Sequence, residues 1–352
     1  MTLKTLGIIG GGQLGRMLAM AAARLNFKTV ILEPQPDCPA AQVANRQIVA
    51  AYDDRAALDE LAAACDVITY EFENVPVSAA THLSASRPVY PPAKALDVAQ
   101  DRLTEKRFLN GCGIKTARFH AVDSDEDLVA ALADFGGQGV LKTRRMGYDG
   151  KGQRVFRGPG DSADGVFAAM GGVPLILESF VAFEREVSVI AARAIDGTVK
   201  SFDVAENVHR NGILHTSTLP ARITAETQEM ARTAAERLLS ALDYVGVIGM
   251  EFFVMPDGAL IANEIAPRVH NSGHWTEAAC VVSQFEQHIR AVMGLSLGDP
   301  ARHSDCVMTN LIGDDMDDVP AWLAKPDVLV HLYGKSEARP GRKMGHVTQL
   351  LR

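Results

Sequence analysis

Short apolar runs alternating with amphipathic stretches set the rhythm of the first third of this chain. Residues 3–9 read as a buried strand, Gly10-Gly11-Gly12-Gln13-Leu14-Gly15 as a glycine loop, and the Ala/Met/Leu-rich residues 13–25 as a helix. Thr29-Val30-Ile31-Leu32-Glu33 is then a second strand. This β-loop-α-β order predicts a parallel sheet with right-handed crossovers. The pattern gives way near Pro88-Val89-Tyr90-Pro91-Pro92. Beyond it the periodicity predicts a helix over 101–110, strand signals near 117–121, a helix over 125–135 and a strand over 139–143. A basic, glycine-rich loop follows at 144–152. From Pro174 the chain becomes a longer α/β region, with amphipathic helices over 226–243 and 276–293 and a tail of short strands and turns from about 305.

The most informative local pattern is a hairpin. Val247-Ile248-Gly249-Met250-Glu251-Phe252-Phe253-Val254 reads as a strand, Asp257-Gly258 as a turn, and 259–265 as the returning strand. A turn centred on Asp257-Gly258 puts Glu251 directly opposite Glu264. Cross-strand Cβ atoms lie about 4.5–5.5 Å apart, and like charges at that spacing repel. A divalent cation would resolve the conflict, and a pair of hard oxygen ligands suits Mg²⁺. The competing arrangements are a solvated edge hairpin, or a three-residue loop that turns Glu264 to the other face.

Pro267 ends the returning strand, and Arg268-Val269-His270-Asn271-Ser272-Gly273-His274-Trp275-Thr276 follows. Arg268, Asn271, Ser272 and the backbone around Gly273 are anion-binding groups beside the expected metal. A negatively charged substrate fits such a segment.

Composition narrows the choice. The chain has 352 residues, enough for two or three packed units, and 35 basic against 43 acidic residues give a net charge of −8. That balance argues against nucleic acid or an anionic membrane as partner. Cys38, Cys65, Cys112, Cys280 and Cys306 are scattered without a C-x-x-C pair, and no apolar run is long enough for a membrane span. The expected location is the cytoplasm.

Gly10, Gly12 and Gly15 satisfy G-x-G-x-x-G, and Glu33 stands where a dinucleotide-binding fold places its ribose acid. That predicts an NAD-dependent oxidoreductase, unless the loop holds another phosphate-bearing group at the helix N-terminus. Against the oxidoreductase, a second mononucleotide-binding half is missing.

Taken together, the Glu251 hairpin and the stretch from Asn263-Glu264-Ile265-Ala266-Pro267-Arg268 to Trp275 resemble the metal and substrate segment of the ATP-grasp ligases. Within them they are most similar to the branch that carboxylates 5-aminoimidazole ribonucleotide in purine biosynthesis. The resemblance runs from the glycine loop to Arg342. It implies an α/β ATP-grasp fold of three domains: a Rossmann-like parallel sheet over 1–95, a small α+β lid domain over 96–177 and a larger α+β domain over 178–352. It also implies ATP and Mg²⁺ as cofactors and a homodimer.

Residue by residue, the resemblance assigns Lys106 and Lys142 to the nucleotide phosphates, and the lid to 144–152. The adenine hinge falls on Glu178, Phe180 and Val181, and the ATP ribose acid on Glu186. His209 in its polar loop and Asn263 are counted with the nucleotide contacts. Asn263 is placed on the face opposite Glu264 by strand alternation and outside the metal shell. Gln13, Leu14, Glu73, Tyr148, His270, Asn271, Ser272 and Gly273 are the implied substrate contacts. In the tail, Lys335 and Arg342 are assigned to the substrate nucleotide, although an ordinary surface charge run reads the same way. Asp149 and Lys335 are the polar pair implied near the reacting amine, with Arg268 beside them. Many members of the wider superfamily carry a metal-binding Asn two residues after the second Glu, but Ala266 occupies that place. Metal ligation then rests on Glu251 and Glu264 with waters.

The implied reaction consumes ATP, bicarbonate and 5-aminoimidazole ribonucleotide, passes through carboxyphosphate, and yields the 5-carboxyamino product, ADP and phosphate. A formate-using transformylase of the same superfamily needs the same Mg-ATP machinery. The 268–275 segment favours the carboxylating reading.

Overall fold

The computed structural model describes residues 3–147 and 152–351. Strands Thr5–Ile9, Lys28–Leu32, Arg46–Ile48 and Val67–Tyr70 form an all-parallel sheet, with Thr5–Ile9 between Lys28–Leu32 and Val67–Tyr70. Its strands are nearly continuous apolar runs because both faces are covered. Helix Gln13–Arg24 buries Leu14, Met17, Leu18 and Ala22, the i, i+3, i+4 spacing of a one-sided helix.

A second sheet is antiparallel, in the order Phe119–Val122, Leu175–Glu178, Gln138–Thr143, Gln153–Arg157. Helix Asp125–Asp134 covers it. Ser124 caps that helix by accepting from Asp127 N, and Asp125, Glu126 and Asp127 place negative charge at the positive end of its dipole.

The third sheet has nine strands. Leu260–Ala266 forms one edge, followed by Gly246–Val254, Arg185–Arg193, Ala205–Arg210, Ile213–Leu219, Asp305–Ile312, Lys343–Leu351 and Val328–Leu332, while Val199–Ser201 pairs separately with Arg185–Arg193. The tail is therefore part of the main sheet. One core cluster joins Leu6, Leu18 and Ile31 of the first unit to Ile190, Val247, Trp275 and Tyr333 of the third. The nucleotide-like first unit and the large sheet thus share a continuous apolar interior.

One predicted element is different. The helix expected over 276–293 is broken into Thr276–Ala279 and Gln284–Val292. Cys280 is extended, and Ser283 starts the second helix by accepting from Glu286 N. A new cap there outcompetes continuation of the first helix.

Candidate active site

The site is built outward from the hairpin. Its connection is a three-residue loop closed by Met255 N donating to Ala259 O at 2.9 Å, with Gly258 at φ +82°. Such a loop shifts the register by one residue, so that Val254 pairs with Leu260 and Phe252 with Ala262. A bulge then restores it: Glu251 pairs with Glu264, and Asn263 is the extra residue. Both the two-residue turn and the simple alternation expected for Asn263 are corrected by this geometry. With alternation broken, Asn263 and Glu264 line the same cavity.

Glu251 is buried, and burial followed by the Glu264 charge raises its pKa to about 7. Glu186 and His209 converge with Glu251, their ligand atoms lying within 4.8 Å of one another. His209 Nδ1 is 2.7 Å from Glu186 Oε2, and His270 Nε2 is 3.7 Å from Glu251 Oε1. Burial drives the His270 pKa down to about 3, so at neutral pH this ring is uncharged. Its Nδ1 is 2.9 Å from Ser272 Oγ. Glu264 is 3.3 Å from Arg102 Nη1. A carboxylate pair with one member held toward its protonated form is a donor set that fits a hard divalent cation.

Across the cavity, the Lys142 and Lys106 ammonium groups share one carboxylate, at 3.1 Å and 3.2 Å from Glu178 Oε2. Lys106 is 1% exposed and also donates to Asn263 O at 3.0 Å. Burial would raise the Glu178 pKa, but the two lysines overrule it and hold it low. Its other oxygen, Oε1, is buried without a partner. Asp101 caps the Lys106 helix and receives Arg144 Nε at 3.1 Å, anchoring the start of the 144–152 loop. Phe183 and Phe253 stack 4.4 Å apart at 14° and offer a flat apolar wall to the same cavity.

The far end belongs to the first unit. Glu73 Oε2 is 2.5 Å from Arg268 Nε. Burial alone would raise Glu73, but the guanidinium holds it at about 2. In the same cavity both amide atoms of Asn271 are buried and unpaired. An orphaned donor and acceptor lining a cavity are groups that a ligand would satisfy.

The glycine loop is occupied from within. Glu71 accepts from Gly12 N and, at 2.6 Å, from Gly15 N, while Glu33 accepts from Gly11 N at 2.9 Å and from the Tyr52 hydroxyl. A Cβ on Gly12 would come 2.7 Å from Glu71 Oε1, so the close approach requires glycine. This corrects the expectation that Glu33 and the loop present a free dinucleotide or phosphate site: a buried carboxylate already faces the helix N-terminus.

The cavity, of about 490 Å³, draws its lining from all three units. It brings together the predicted residues Gln13, Leu14, Glu73, Lys142, Glu186, His209, Glu251, Asn263, Glu264, Arg268, His270 and Asn271. Lys106 and Glu178 stand behind that wall. Ser272 and Gly273 are also outside the lining. Ser272 is fully buried with its hydroxyl on Ser188, and a Cβ on Gly273 would meet Gln284, so these two shape the loop from behind. Phe180 is exposed and, with Val181, lies off the lining. Lys335 and Arg342 also lie off it: Lys335 Nζ donates to Lys343 O at 2.6 Å and Arg342 Nη1 to Glu337 O at 2.9 Å. Tyr148 and Asp149 fall outside the described residues. Sequence reasoning missed Arg102, Glu105, Phe183 and Phe253, all lining residues, while Arg144 belongs to the lid expected over 144–152. Only Asp101-Arg102, at the cap of the lysine-bearing helix, carried a local signal.

Three domain models match in order: the ribonucleotide synthetase preATP-grasp domain over residues 3–100, the ATP-grasp domain over 107–285, and the phosphoribosylaminoimidazole carboxylase C-terminal domain over 306–352. The N5-carboxyaminoimidazole ribonucleotide synthase of Brucella melitensis is 67% identical over 347 residues, covering 98% of this chain and 96% of that protein. The chain belongs to the N5-carboxyaminoimidazole ribonucleotide synthase family. Among solved structures, an ADP complex of an N5-carboxyaminoimidazole ribonucleotide synthetase superposes with a TM-score of 0.95 at 44% identity, covering 100% of this chain and 94% of that one. The Aspergillus clavatus N5-carboxyaminoimidazole synthase in complex with ADP and 5-aminoimidazole ribonucleotide gives 0.91 at 30% identity, covering 99% and 94%. The ATP-grasp fold and preATP-grasp sheet expected from the hairpin and glycine loop are those of this synthase family, and the oxidoreductase reading is set aside.

Proposed function

We propose that the protein carboxylates 5-aminoimidazole ribonucleotide at its amine, using ATP and bicarbonate and releasing ADP and phosphate, as a step of purine biosynthesis. The observation that carries the reading is the Glu251–Glu264 pair, set in register across one cavity from Lys142 and from the Glu73–Arg268 pair. In this reading Lys142 and Lys106 bind the ATP phosphates, and Glu178 keeps both lysines oriented when the nucleotide is absent. Phe183 and Phe253 suit the planar base, and Glu186 with His209 the ATP ribose. Glu251 and Glu264 would hold Mg²⁺, which would neutralise charge on the phosphates during transfer to bicarbonate.

At the other end Glu73 receives the substrate ribose hydroxyls and Arg268 sits where carboxyphosphate would form. Asn271 supplies one donor and one acceptor. Closure of the 144–152 segment, anchored through Arg144 and Asp101, would exclude water from the mixed anhydride until the amine attacks. Asp149 and Lys335 are assigned to proton handling at that amine. The three sheets correspond to a substrate unit, a lid and a metal-bearing unit, and the protein works as a homodimer.

The test is phosphate release from ATP with 5-aminoimidazole ribonucleotide and either bicarbonate or formate. Release should require the ribonucleotide, bicarbonate and Mg²⁺ together. Equal turnover with formate would transfer the assignment to a transformylase.

A further inference from the structure

Away from the nucleotide cavity, Glu277, His331 and His346 bring one ligand atom each within 4.8 Å of one another. They come from three elements: helix Thr276–Ala279, strand Val328–Leu332 and strand Lys343–Leu351. His331 and His346 are cross-strand partners whose rings stack at 5.3 Å and 12°. Glu277 Oε2 lies 3.1 Å from His331 Nδ1 and 3.6 Å from His346 Nε2. This buried oxygen faces both rings without a well-formed hydrogen bond to either. Atoms bound tetrahedrally at zinc–ligand lengths of about 2.0–2.1 Å lie roughly 3.3–3.4 Å from each other, between the two observed separations.

The surroundings also suit a metal. His346 Nδ1 is 2.9 Å from the buried Tyr333 hydroxyl, which leaves Nε2 for the shared point. A hydrogen bond on the outer nitrogen is what orients a metal-binding imidazole. His346 is 1% exposed and Glu277 Oε2 is itself buried, while the Glu277 side chain as a whole is 21% exposed, so the shared point lies just beneath the surface. Two imidazoles and one carboxylate favour a borderline transition metal over Mg²⁺.

We propose that Glu277, His331 and His346 form a binding site for a divalent cation of the zinc type, with water as fourth ligand. Bound there, the ion ties the helix that follows the Arg268–Asn271 loop to the hairpin whose connection carries Lys335 and Arg342. The site lies outside the catalytic cavity, so its occupancy is separable from turnover.

The test uses the tag-free full chain, stripped with a chelator and kept in millimolar Mg²⁺. Zn²⁺ is titrated by calorimetry and Co²⁺ by visible absorption. One equivalent should bind, with the intense d–d bands of tetrahedral Co²⁺ and a higher Tm. Glu277→Gln and His331→Gln should each weaken Zn²⁺ binding by at least about tenfold. Glu251→Gln, in the catalytic cavity, should leave it unchanged. Substoichiometric binding, absent Co²⁺ bands, or unaltered affinity in whichever of the two variants keeps its native circular dichroism would overturn the site and leave a plain imidazole–carboxylate pair.

Discussion

Arg268 and Glu73, 195 positions apart in the chain, meet as an ion pair of 2.5 Å at the seam between the first unit and the large sheet. In the proposed function each positions the other for substrate. Arg268→Ala frees the Glu73 carboxylate in a half-buried site, so KM for 5-aminoimidazole ribonucleotide should rise by about ten- to a hundredfold with little change in KM for ATP. Arg268→Lys should not rescue it, because an ammonium cannot reproduce the planar donor geometry. The pair also has a pH signature. Glu73 is depressed to about 2 in the fold, so its stabilising contribution is complete above its ordinary range near about 4.3 and is lost as pH falls toward 2. Acid denaturation of the wild type and of Glu73→Gln should therefore converge at the lowest pH. Parallel curves would separate the pair from stability.

Glu264→Gln keeps the hairpin pairing while removing one charge from the metal position. Turnover should collapse by two orders of magnitude or more, while binding of 5-aminoimidazole ribonucleotide, followed by calorimetry, survives. Near-normal kcat at saturating Mg²⁺ would remove Glu264 from the metal shell.

Glu178 pairs with two lysines at once, the buried Lys106 and the half-buried Lys142. Its replacement by Ala leaves two like charges facing each other, and the loss should be on the order of 3–5 kcal/mol of folding stability. ATP should restore more Tm in Glu178→Ala than in the wild type, since phosphates supply the missing negative charge. Chemical denaturation with and without nucleotide reads both effects.

These relationships divide into what the sequence carried and what it did not. The facing glutamates were legible because strand alternation and an Asp-Gly turn are local signals. The route to them was not: a three-residue loop displaced the register and a bulge at Asn263 put it back, two offsets that cancel. The break in the 276–293 helix was written in Ser283-Gln284-Phe285-Glu286, a capping pattern that the apolar period conceals. Glu71 and Glu33 closing the glycine loop, Ser272 turning back onto Ser188, and the Phe183–Phe253 wall are tertiary pairings. No spacing along the chain encodes them.

Lys335 gives a second pH prediction, at the alkaline end. Burial and then the Arg342 cation lower its pKa to about 8. If its charged form serves the substrate, kcat/KM for 5-aminoimidazole ribonucleotide should fall as pH rises through 8, and Lys335→Arg should carry that limb upward. For stability, the unfolded chain holds the proton between about 8 and its ordinary 10.4 while the fold does not, so this group's penalty is full below 8 and relieved as pH rises across that window. A kcat/KM profile flat from pH 7 to 9 in the wild type would remove Lys335 from substrate binding.

Arg342 tests whether the tail belongs to the site at all. It follows Gly341 at φ +78°, and its guanidinium donates to Glu337 O, which ties the 335–342 connection into a bend without spending all its donors. Lys335, within the same bend, senses the Glu71 carboxylate of the glycine loop, and Gln42 Nε2 donates to Gly334 O at 2.8 Å, so this connection lies against the first unit. A phosphate placed between them would take charge-assisted hydrogen bonds from Arg342. Arg342→Ala should then weaken the ribonucleotide by roughly 1.5–3 kcal/mol, or about ten- to a hundredfold, and leave ATP affinity nearly unchanged. Separate calorimetric titrations with nucleotide and ribonucleotide measure both. Wild-type ribonucleotide affinity in Arg342→Ala would reduce this cation to a partner of Glu337 in a solvated turn.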